Sequence, residues 1–348
     1  MGSIWFALVA VMMTVYVILD GFDFGVGILH LFVARTDQER QMALAAIGPV
    51  WDGNEVWLLA GGGALVFAFP KVYAAGFSGF YLPLMMALWL LVMRGLSIEL
   101  RSHEKHWIWR AGWDGMFFLS SLLMAVILGA ALGNVIRGVP LTASGYFRGP
   151  LFTNFRVGPN PGVLDWYTVL VGVFATVALS LHGACYLLIK TDGEVYHRSR
   201  AAAGVLWPAM LVLGVLVTLA TNAVCPTLYT HLIDRPWTWI LAALIVVSAI
   251  GLPVMLRRKS DVMAFMCSVG VLLGLLAATA AGVYPVLLRS TLSPSADLTV
   301  ANSASGHIGL EIGLVWWSIA IVLAAVYFTY LFRSFRGKVK LGTSVYGH

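Results

Sequence analysis

Long apolar stretches separated by short polar connections make up most of the chain. A helix that crosses a membrane needs about 20 mostly apolar residues, because the hydrocarbon core is roughly 30 Å thick and each residue rises about 1.5 Å. Nine stretches meet this requirement, and the short connections favour antiparallel neighbours in helical bundles. The expected spans are residues 4–32, 49–69, 74–100, 113–136, 163–189, 201–221, 237–256, 262–288 and 308–332. The pattern predicts an all-α integral membrane protein, with residues 1–348 as a single polytopic membrane domain.

The composition agrees with a surface that is mostly solvated by lipid. Apolar residues make up 60% of the chain and charged residues 11%, with a mean hydropathy of +0.87, whereas soluble domains carry about 45–50% and about 25%. The formal charge of +6 does not indicate nucleic-acid binding, because the Lys and Arg residues form short clusters between apolar runs, as membrane loops do. No Lys or Arg precedes the first apolar run, which predicts a retained span rather than a cleaved signal peptide.

The distribution of basic residues predicts the orientation of the chain. With nine spans, sixteen of the 22 Lys and Arg residues fall on one side of the membrane and six on the other. Loops on the cytoplasmic side carry the excess of positive charge. We therefore expect a periplasmic N-terminus and a cytoplasmic C-terminus, which requires an odd number of spans.

Two acids in the first span are candidates for function. A charged side chain near the bilayer centre costs about 2.5–3.5 kcal/mol on insertion scales, so such residues are seldom incidental. Asp20 and Asp23 are three residues apart and share a helix face, on the cytoplasmic side of the middle of the span. Gly21 and Gly25 form a pair of small residues four apart, which predicts close approach of another helix backbone.

Further acids lie towards the cytoplasmic ends of the next three spans. Asp52 and Glu55 share a face at the start of the second span. They either complement the helix dipole or hand protons inward, as neighbouring carboxylates in a low-dielectric site can. For Glu99 we expect an ion pair with nearby arginine residues, and Asp114 is either a helix cap or a proton relay. All embedded acids of the first four spans lie in the cytoplasmic half, as is required of a group of acids that takes up protons from the cytoplasm.

The chain offers few ligands for a metal or a haem. Membrane haems need axial His or Met, most often two histidines on facing helices. Only His30 and His182 lie inside the expected spans, both near cytoplasmic ends. His307 and Glu311 form an i, i+4 pair at the outer end of the last span, which suggests a local hydrogen bond or a role in quinol or proton exit. The three cysteines have no paired metal spacing and are interpreted as small apolar residues. We expect no metal site in this chain.

Several runs of the chain resemble subunit II of cytochrome bd-type quinol oxidases. The most specific is Gly-Pro-Val-Trp-Asp-Gly-Asn-Glu-Val-Trp-Leu at residues 48–58, which follows Gly-Phe-Asp-Phe-Gly-Val-Gly at residues 21–27. The likeness covers nearly the whole chain. Its other parts are residues 75–81, the cluster of Arg94, Glu99 and Arg101, and residues 284–285, 290–294 and 298–303.

The resemblance implies a subunit of a bacterial inner-membrane complex that oxidises quinol, reduces O2 to water and builds a proton gradient. It implies that haem b and haem d (or a further haem b) lie in subunit I, the partner, and that subunit II is haem-free. A small third subunit and a structural quinone occur in some members, and no residue here marks a quinone site. Membrane lipids are expected partners and nucleic acid is not.

The resemblance also implies roles for individual residues. Asp52 matches an acid on a cytoplasmic proton path, and we assign Glu55 to the same path. Trp57 matches the tryptophan at the mouth of an apolar O2 channel. Asp20, Asp23 and Asp114 match positions that line a second proton route.

Two other functions are compatible with the residues alone. In an ion-coupled secondary transporter, Asp20 and Asp23 would coordinate protons or substrate where glycine residues break the helices, at Gly21 and at residues 61–63. In a pure scaffold, the acids would only cap helices and pair with arginine.

Overall fold

The computed structural model describes residues 1–339, so Lys340, one of the predicted cytoplasmic charges, lies outside the described residues. Helices make up most of this part of the chain. They are α1 (Gly2–Val33), α2 (Asp37–Ile47), α3 (Trp51–Ala68), α4 (Pro70–Gly79), α5 (Tyr81–Leu100), α6 (Trp107–Arg137), α7 (Trp166–Lys190), α8 (Gly193–Val224), α9 (Pro226–Ile233), α10 (Trp239–Arg257), α11 (Asp261–Val283), α12 (Val300–Ser303) and α13 (His307–Ser334). Two short antiparallel strands, β1 (Val286–Leu288) and β2 (Leu298–Thr299), pair between α11 and α12.

The all-α membrane fold predicted from the sequence is confirmed. Within residues 1–339, eight helices are long and apolar enough to cross a membrane, namely α1, α5, α6, α7, α8, α10 with its preceding 3₁₀ turn, α11 and α13. The predicted second span forms α3, which has 18 residues. It is not among the eight because Asp52, Asn54 and Glu55 occupy its first turns. The count of nine spans and the orientation of the termini stay predictions.

Four expected boundaries differ from those of the helices. The sixth span, expected from residue 201, belongs to a helix that begins at Gly193. The third span is two helices, α4 and α5, separated at Phe80. The fourth begins at Trp107 rather than at residue 113, since the His106 side chain accepts a hydrogen bond from the Ile108 N–H and caps the helix. The eighth ends at Val283, because Pro285 disfavours a helical conformation in the residue before it.

The helix breaks expected for a transporter are also absent from the described residues. Helix α1 runs without interruption through Gly21, and α3 runs without interruption through residues 61–63. A broken-helix binding site at these positions is therefore wrong.

Helices α1 and α7 form the centre of the bundle. Residues 20–30 of α1 and residues 178–188 of α7 are all buried. The two backbones touch where Gly25 meets Gly183, since a Cβ added at Gly25 would lie 2.0 Å from the Leu179 carbonyl oxygen and 2.7 Å from the Gly183 nitrogen. The close helix approach predicted from Gly21 and Gly25 is thus confirmed at Gly25, where any side chain would force the helices apart.

The connection between α6 and α7, predicted to lie outside the cell, is fixed by a buried ion pair. Arg137 pairs with Asp165 and donates to Asn134 Oδ1 at 2.6 Å. Asp165 Oδ1 accepts hydrogen bonds from the backbone N–H groups of Tyr167 and Thr168, each at 2.9 Å, and so caps α7. These bonds satisfy helix-terminal N–H groups that would otherwise lack partners.

Large apolar side chains cover the outer faces of the bundle. Helix α13 is the extreme case, since none of its most apolar segment is buried within the described residues. A soluble protein rarely exposes so large an apolar surface. These faces are suited to lipid and to a membrane-embedded partner.

Candidate functional site

The acid-bearing turn of α1 lies in the interior of the bundle. Asp20 and Asp23 are both 0% exposed, and they follow each other on the helix face that is directed towards α3 and α5. The sequence predicted that these two side chains share a face, and this is confirmed because both are directed towards the polar groups of α3 and α5. Each carboxylate is held by a different helix.

Arg94, on α5, is the cation of the site. Its side chain is 0% exposed, and Nη1 lies 2.6 Å from Asp20 Oδ1. Its Nη2 pairs with Glu55 of α3, and its guanidinium stacks over the Phe24 ring with 4.2 Å between the Cζ atom and the ring centroid. Arg94 therefore connects α1, α3 and α5 through one buried group.

Asn54, on α3, holds the second carboxylate. Its Nδ2 donates to Asp23 Oδ2 at 2.8 Å and to the Leu19 carbonyl oxygen at 3.3 Å. Asn54 belongs to the same run as Asp52 and Glu55, yet sequence reasoning gave it no role. The signal that could have found it is its place between two acids of an otherwise apolar segment.

These side chains form one cluster, which consists of Asp20, Asp23, Glu55, Arg94 and Asn54. Its charges do not balance when all three carboxylates are ionised. Arginine does not lose its proton in proteins, so the site would hold three negative charges against one positive charge in a low-dielectric interior. Asp23 Oδ1 and Asn54 Oδ1 are buried without a hydrogen-bond partner among the described residues. Buried oxygens of this kind bind protons or ordered water.

The cluster is connected to the surface through the start of α3. The side chain of Glu55 is 24% exposed. Asp52, in the first turn, is exposed, has no hydrogen bond or ion pair within residues 1–339, and is among the charged groups that face Glu55. The carboxylates at positions 52, 55 and 20 therefore lead from the surface to the interior, with Arg94 between the last two.

Asp114 lies in a separate cluster and is saturated with donors. It accepts from Arg101 Nε at 2.6 Å and from Arg40 Nη1 at 3.0 Å, and it lies 2.7 Å from His30 Nε2. The helix-cap interpretation is wrong, because α6 begins at Trp107, two turns earlier. The arrangement favours a structural ion-pair cluster that ties α1, α2 and α5 to α6.

Glu99 does not form the expected ion pair. The side chain is exposed, and no ion pair to it is found among the described residues. Arg94 and Arg101 are both occupied by other carboxylates. Because Glu99 is five residues after Arg94, it points to a different side of α5.

Trp57 lies two residues after Glu55 in α3. Its ring packs against Phe328 of α13 with centroids 5.7 Å apart. The indole Nε1 is buried and has no hydrogen-bond partner in the described part of the chain. The surroundings are apolar, with an unused donor on one edge.

His182 does not fit a haem iron, whereas the Nδ1 atom of His30 is buried without a hydrogen-bond partner among the described residues. His182 Nε2 donates to the Ile18 carbonyl oxygen at 2.9 Å, and Nδ1 lies 2.8 Å from Ser268 Oγ, so both nitrogens are engaged. The Phe265 ring stacks on the imidazole with 4.8 Å between the ring centroids. His30 is bound to Asp114. His307 and Glu311 are exposed and 3.4 Å apart, as their spacing predicted.

Comparisons with known proteins agree over nearly the whole chain. The family model described as cytochrome bd terminal oxidase subunit II matches residues 1–335. The cytochrome bd ubiquinol oxidase subunit 2 of Bacillus subtilis is 34% identical over 313 residues, which cover 89% of this chain and 88% of that protein. The cytochrome bd-I ubiquinol oxidase subunit 2 of Escherichia coli K12 is 31% identical and covers 94% and 91%.

A solved structure supports the fold. A chain of the bd oxidase from Geobacillus thermodenitrificans superposes with a TM-score of 0.73, covering 96% of this chain and 98% of that chain at 19% identity. At this identity the likeness establishes the fold alone.

Proposed function

The chain belongs to the cytochrome bd terminal oxidase subunit II family, and from this premise we propose that it is a haem-free subunit that delivers protons to its partner. As a member of the family it is a subunit of a quinol oxidase and a multi-pass protein of the bacterial inner membrane. Its complex contains haem and a subunit I. The division of labour between the two subunits is our proposal.

The buried cluster around Arg94 is the observation that supports a proton path. A scaffold needs no carboxylates in excess of its cations, and their burial costs free energy. A path for protons needs groups that accept and release a proton, spaced from the surface inward. Asp52 and Glu55 would receive protons, and Asp20 and Asp23 would carry them deeper. Arg94 would hold the acids in place without exchanging its own proton.

The direction of the path follows from the predicted orientation. Sixteen of 22 basic residues fall on the side where α3 begins, which is then the cytoplasm. Protons used to reduce O2 to water would enter there. Asp114, with three donors around it, would serve as a structural anchor more than as a relay.

We propose that the haems lie in subunit I, because both nitrogens of His182 are engaged by other groups and His30 Nε2 is held by Asp114. Bound in the partner, haem would carry the electrons from quinol to O2. The residues of this chain would supply protons to the partner, and their apolar surroundings would exclude bulk water. No residue arrangement here identifies a quinone site or a contact for a third subunit.

Trp57 is proposed to border an apolar route for O2. It packs against Phe328 in an apolar part of the interface between α3 and α13. The expected result of Trp57→Ala is a changed apparent O2 affinity at unchanged haem content. An unaltered affinity would remove the channel assignment and leave the proton path untouched.

The proposed function is tested by purifying the complex through a tag on this chain and recording a reduced-minus-oxidised spectrum. We expect haem bands from a copurifying partner subunit, and a colourless solitary protein would contradict the proposal.

Asp52→Asn should lower quinol-driven O2 consumption severalfold with haem content intact. The matched control is Glu99→Gln, an exposed carboxylate without an ion pair in the described residues, which should leave the rate unchanged. Full turnover in Asp52→Asn would support a scaffold instead.

A further inference from the structure

The acid-bearing turn of α1 is supported from behind by one buried histidine. The His182 ring of α7 is 0% exposed, and Nε2 lies 2.9 Å from the Ile18 carbonyl oxygen, two residues before Asp20. A carbonyl oxygen only accepts, so Nε2 must carry a hydrogen. The Ile18 carbonyl oxygen also accepts the backbone hydrogen bond of the helix, so the hydrogen bond from Nε2 uses its second lone pair.

The other nitrogen of His182 is fixed by α11. Nδ1 lies 2.8 Å from Ser268 Oγ, and that hydroxyl also lies 2.7 Å from the Phe265 carbonyl oxygen. No charged group of residues 1–339 faces the ring, which favours a neutral imidazole with its hydrogen on Nε2. Nδ1 and the Phe265 carbonyl oxygen are then alternative acceptors for the single hydrogen of the Ser268 hydroxyl. His182 is thereby locked in one tautomer and one orientation, with Phe265 stacked on its face.

Two contacts with α7 bracket the acids. The His182 bond to Ile18 lies before them, and the backbone contact between Gly183 and Gly25 lies after them. Between the two, Gly21 leaves room for α7, since an added Cβ would lie 2.9 Å from Leu179 Cδ2. One face of α1 is therefore fixed on α7.

The opposite face carries the acids. Asn54 donates to the Leu19 carbonyl oxygen and to Asp23, and Arg94 pairs with Asp20. Two successive carbonyl groups of α1, those of Ile18 and Leu19, thus accept side-chain bonds from two different helices just before the acids. A helix interior does not need such bonds for its own stability, so their convergence at this turn indicates that its position matters.

We propose that His182 is a positioning residue for the proton path, which keeps Asp20 and Asp23 in contact with Arg94 and Asn54 through the backbone of α1. It exchanges no proton itself. Loss of the Ile18 bond would let this turn move and lengthen the proton-transfer distances. The inference rests on the proposed function and adds a residue that neither the acid pattern nor the family likeness assigns.

The test uses the complex with its partner subunit. His182→Leu removes both bonds and keeps an apolar side chain in the core. We expect quinol-driven O2 consumption to fall about tenfold, because misplacement of reacting groups by about 1 Å costs up to about 10²-fold. We also expect a larger solvent deuterium effect on turnover than in the wild type, at unchanged haem content. A purely structural role would not move the isotope effect.

His182→Gln is the rescue variant, because its amide can still donate to Ile18. It should retain most of the wild-type rate, and equal loss in the Gln and Leu variants would overturn the proposal. If His182→Leu does not assemble, Ser268→Ala removes only the outer support. An intermediate rate with a raised isotope effect supports the proposal, and a wild-type rate overturns it.

Asp23→Asn, assayed in parallel, separates this inference from the proposed function. A slow Asp23→Asn complex beside a fully active His182→Leu complex would remove the positioning role alone. Full activity in Asp23→Asn would remove the proton path.

Discussion

Replacement of Arg94 by glutamine tests how the buried cluster is held together. The guanidinium is 0% exposed and contacts Asp20 at 2.6 Å as well as Glu55. Removal of one partner from a buried ion pair costs about 3–5 kcal/mol, mostly because a buried charge is left without compensation. The comparison is Lys338→Gln, since Lys338 pairs with Asp192 at the surface, with the two side chains 42% and 66% exposed. Exposed pairs contribute about 0.2–1 kcal/mol.

We therefore expect Arg94→Gln to lower the free energy of unfolding by at least about 2 kcal/mol more than Lys338→Gln. The assay is reversible denaturation of the purified complex in mixed micelles, followed by loss of the haem spectrum. Adding Asp20→Asn to Arg94→Gln should restore part of the loss, because the buried carboxylate is then neutral. A coupling below about 0.5 kcal/mol would show that the two groups are independent. Equal losses in the buried and the surface variant would refute the reasoning.

Three further predictions follow from individual contacts. Gly25→Ala should destabilise the complex by about 1–3 kcal/mol or more through overpacking. Gly204→Ala is the control, because its Cβ meets no atom within 4 Å, and it should stabilise the complex by up to about 1 kcal/mol. Thermal denaturation of both variants checks that the two effects have opposite signs. The hydrogen bonds from Arg198 lower the pKa of Glu39 from its usual 4.5 to about 2, so the stability this pair contributes is present above pH 4.5 and is lost as the pH falls towards 2. The difference in stability between a Glu39→Gln variant and the wild type should therefore disappear over that range. A difference that stays constant with pH would contradict the assignment. Asp114→Asn should reduce the yield of assembled complex more than its turnover per haem, and the reverse pattern would indicate a relay.

The sequence predicts the membrane fold well because a lipid environment imposes a simple requirement. Each span must satisfy its backbone hydrogen bonds internally and present apolar side chains for about 20 residues. The errors occur where other forces decide the boundary. The break at Phe80 leaves no hydropathy signal, since both sides are apolar, and the start of α6 depends on a cap at His106 rather than on hydropathy.

The candidate site is predicted only in part. The acids of α1 and α3 stand out because charge inside an apolar run is costly. Their partners do not, because pairing across helices depends on the rotation and depth of each helix. Arg94 and Glu99 lie close together in the sequence, yet only Arg94 points inward. The role of His182 depends on a backbone carbonyl of another helix, which no side-chain pattern can reveal.

Proton uptake from the cytoplasmic side shows whether protons reach the partner subunit through the cluster around Arg94. The complex, reconstituted in vesicles with a pH-sensitive dye on the side of Asp52, is reduced and then exposed to O2 for a single turnover. Asp23→Asn is the informative variant, because it keeps the ion pair between Arg94 and Asp20, and Glu99→Gln is its control. We expect slower proton uptake in Asp23→Asn with the same haem content and an unchanged rate in Glu99→Gln. Uptake in Asp23→Asn at the wild-type rate would contradict a proton path through this cluster.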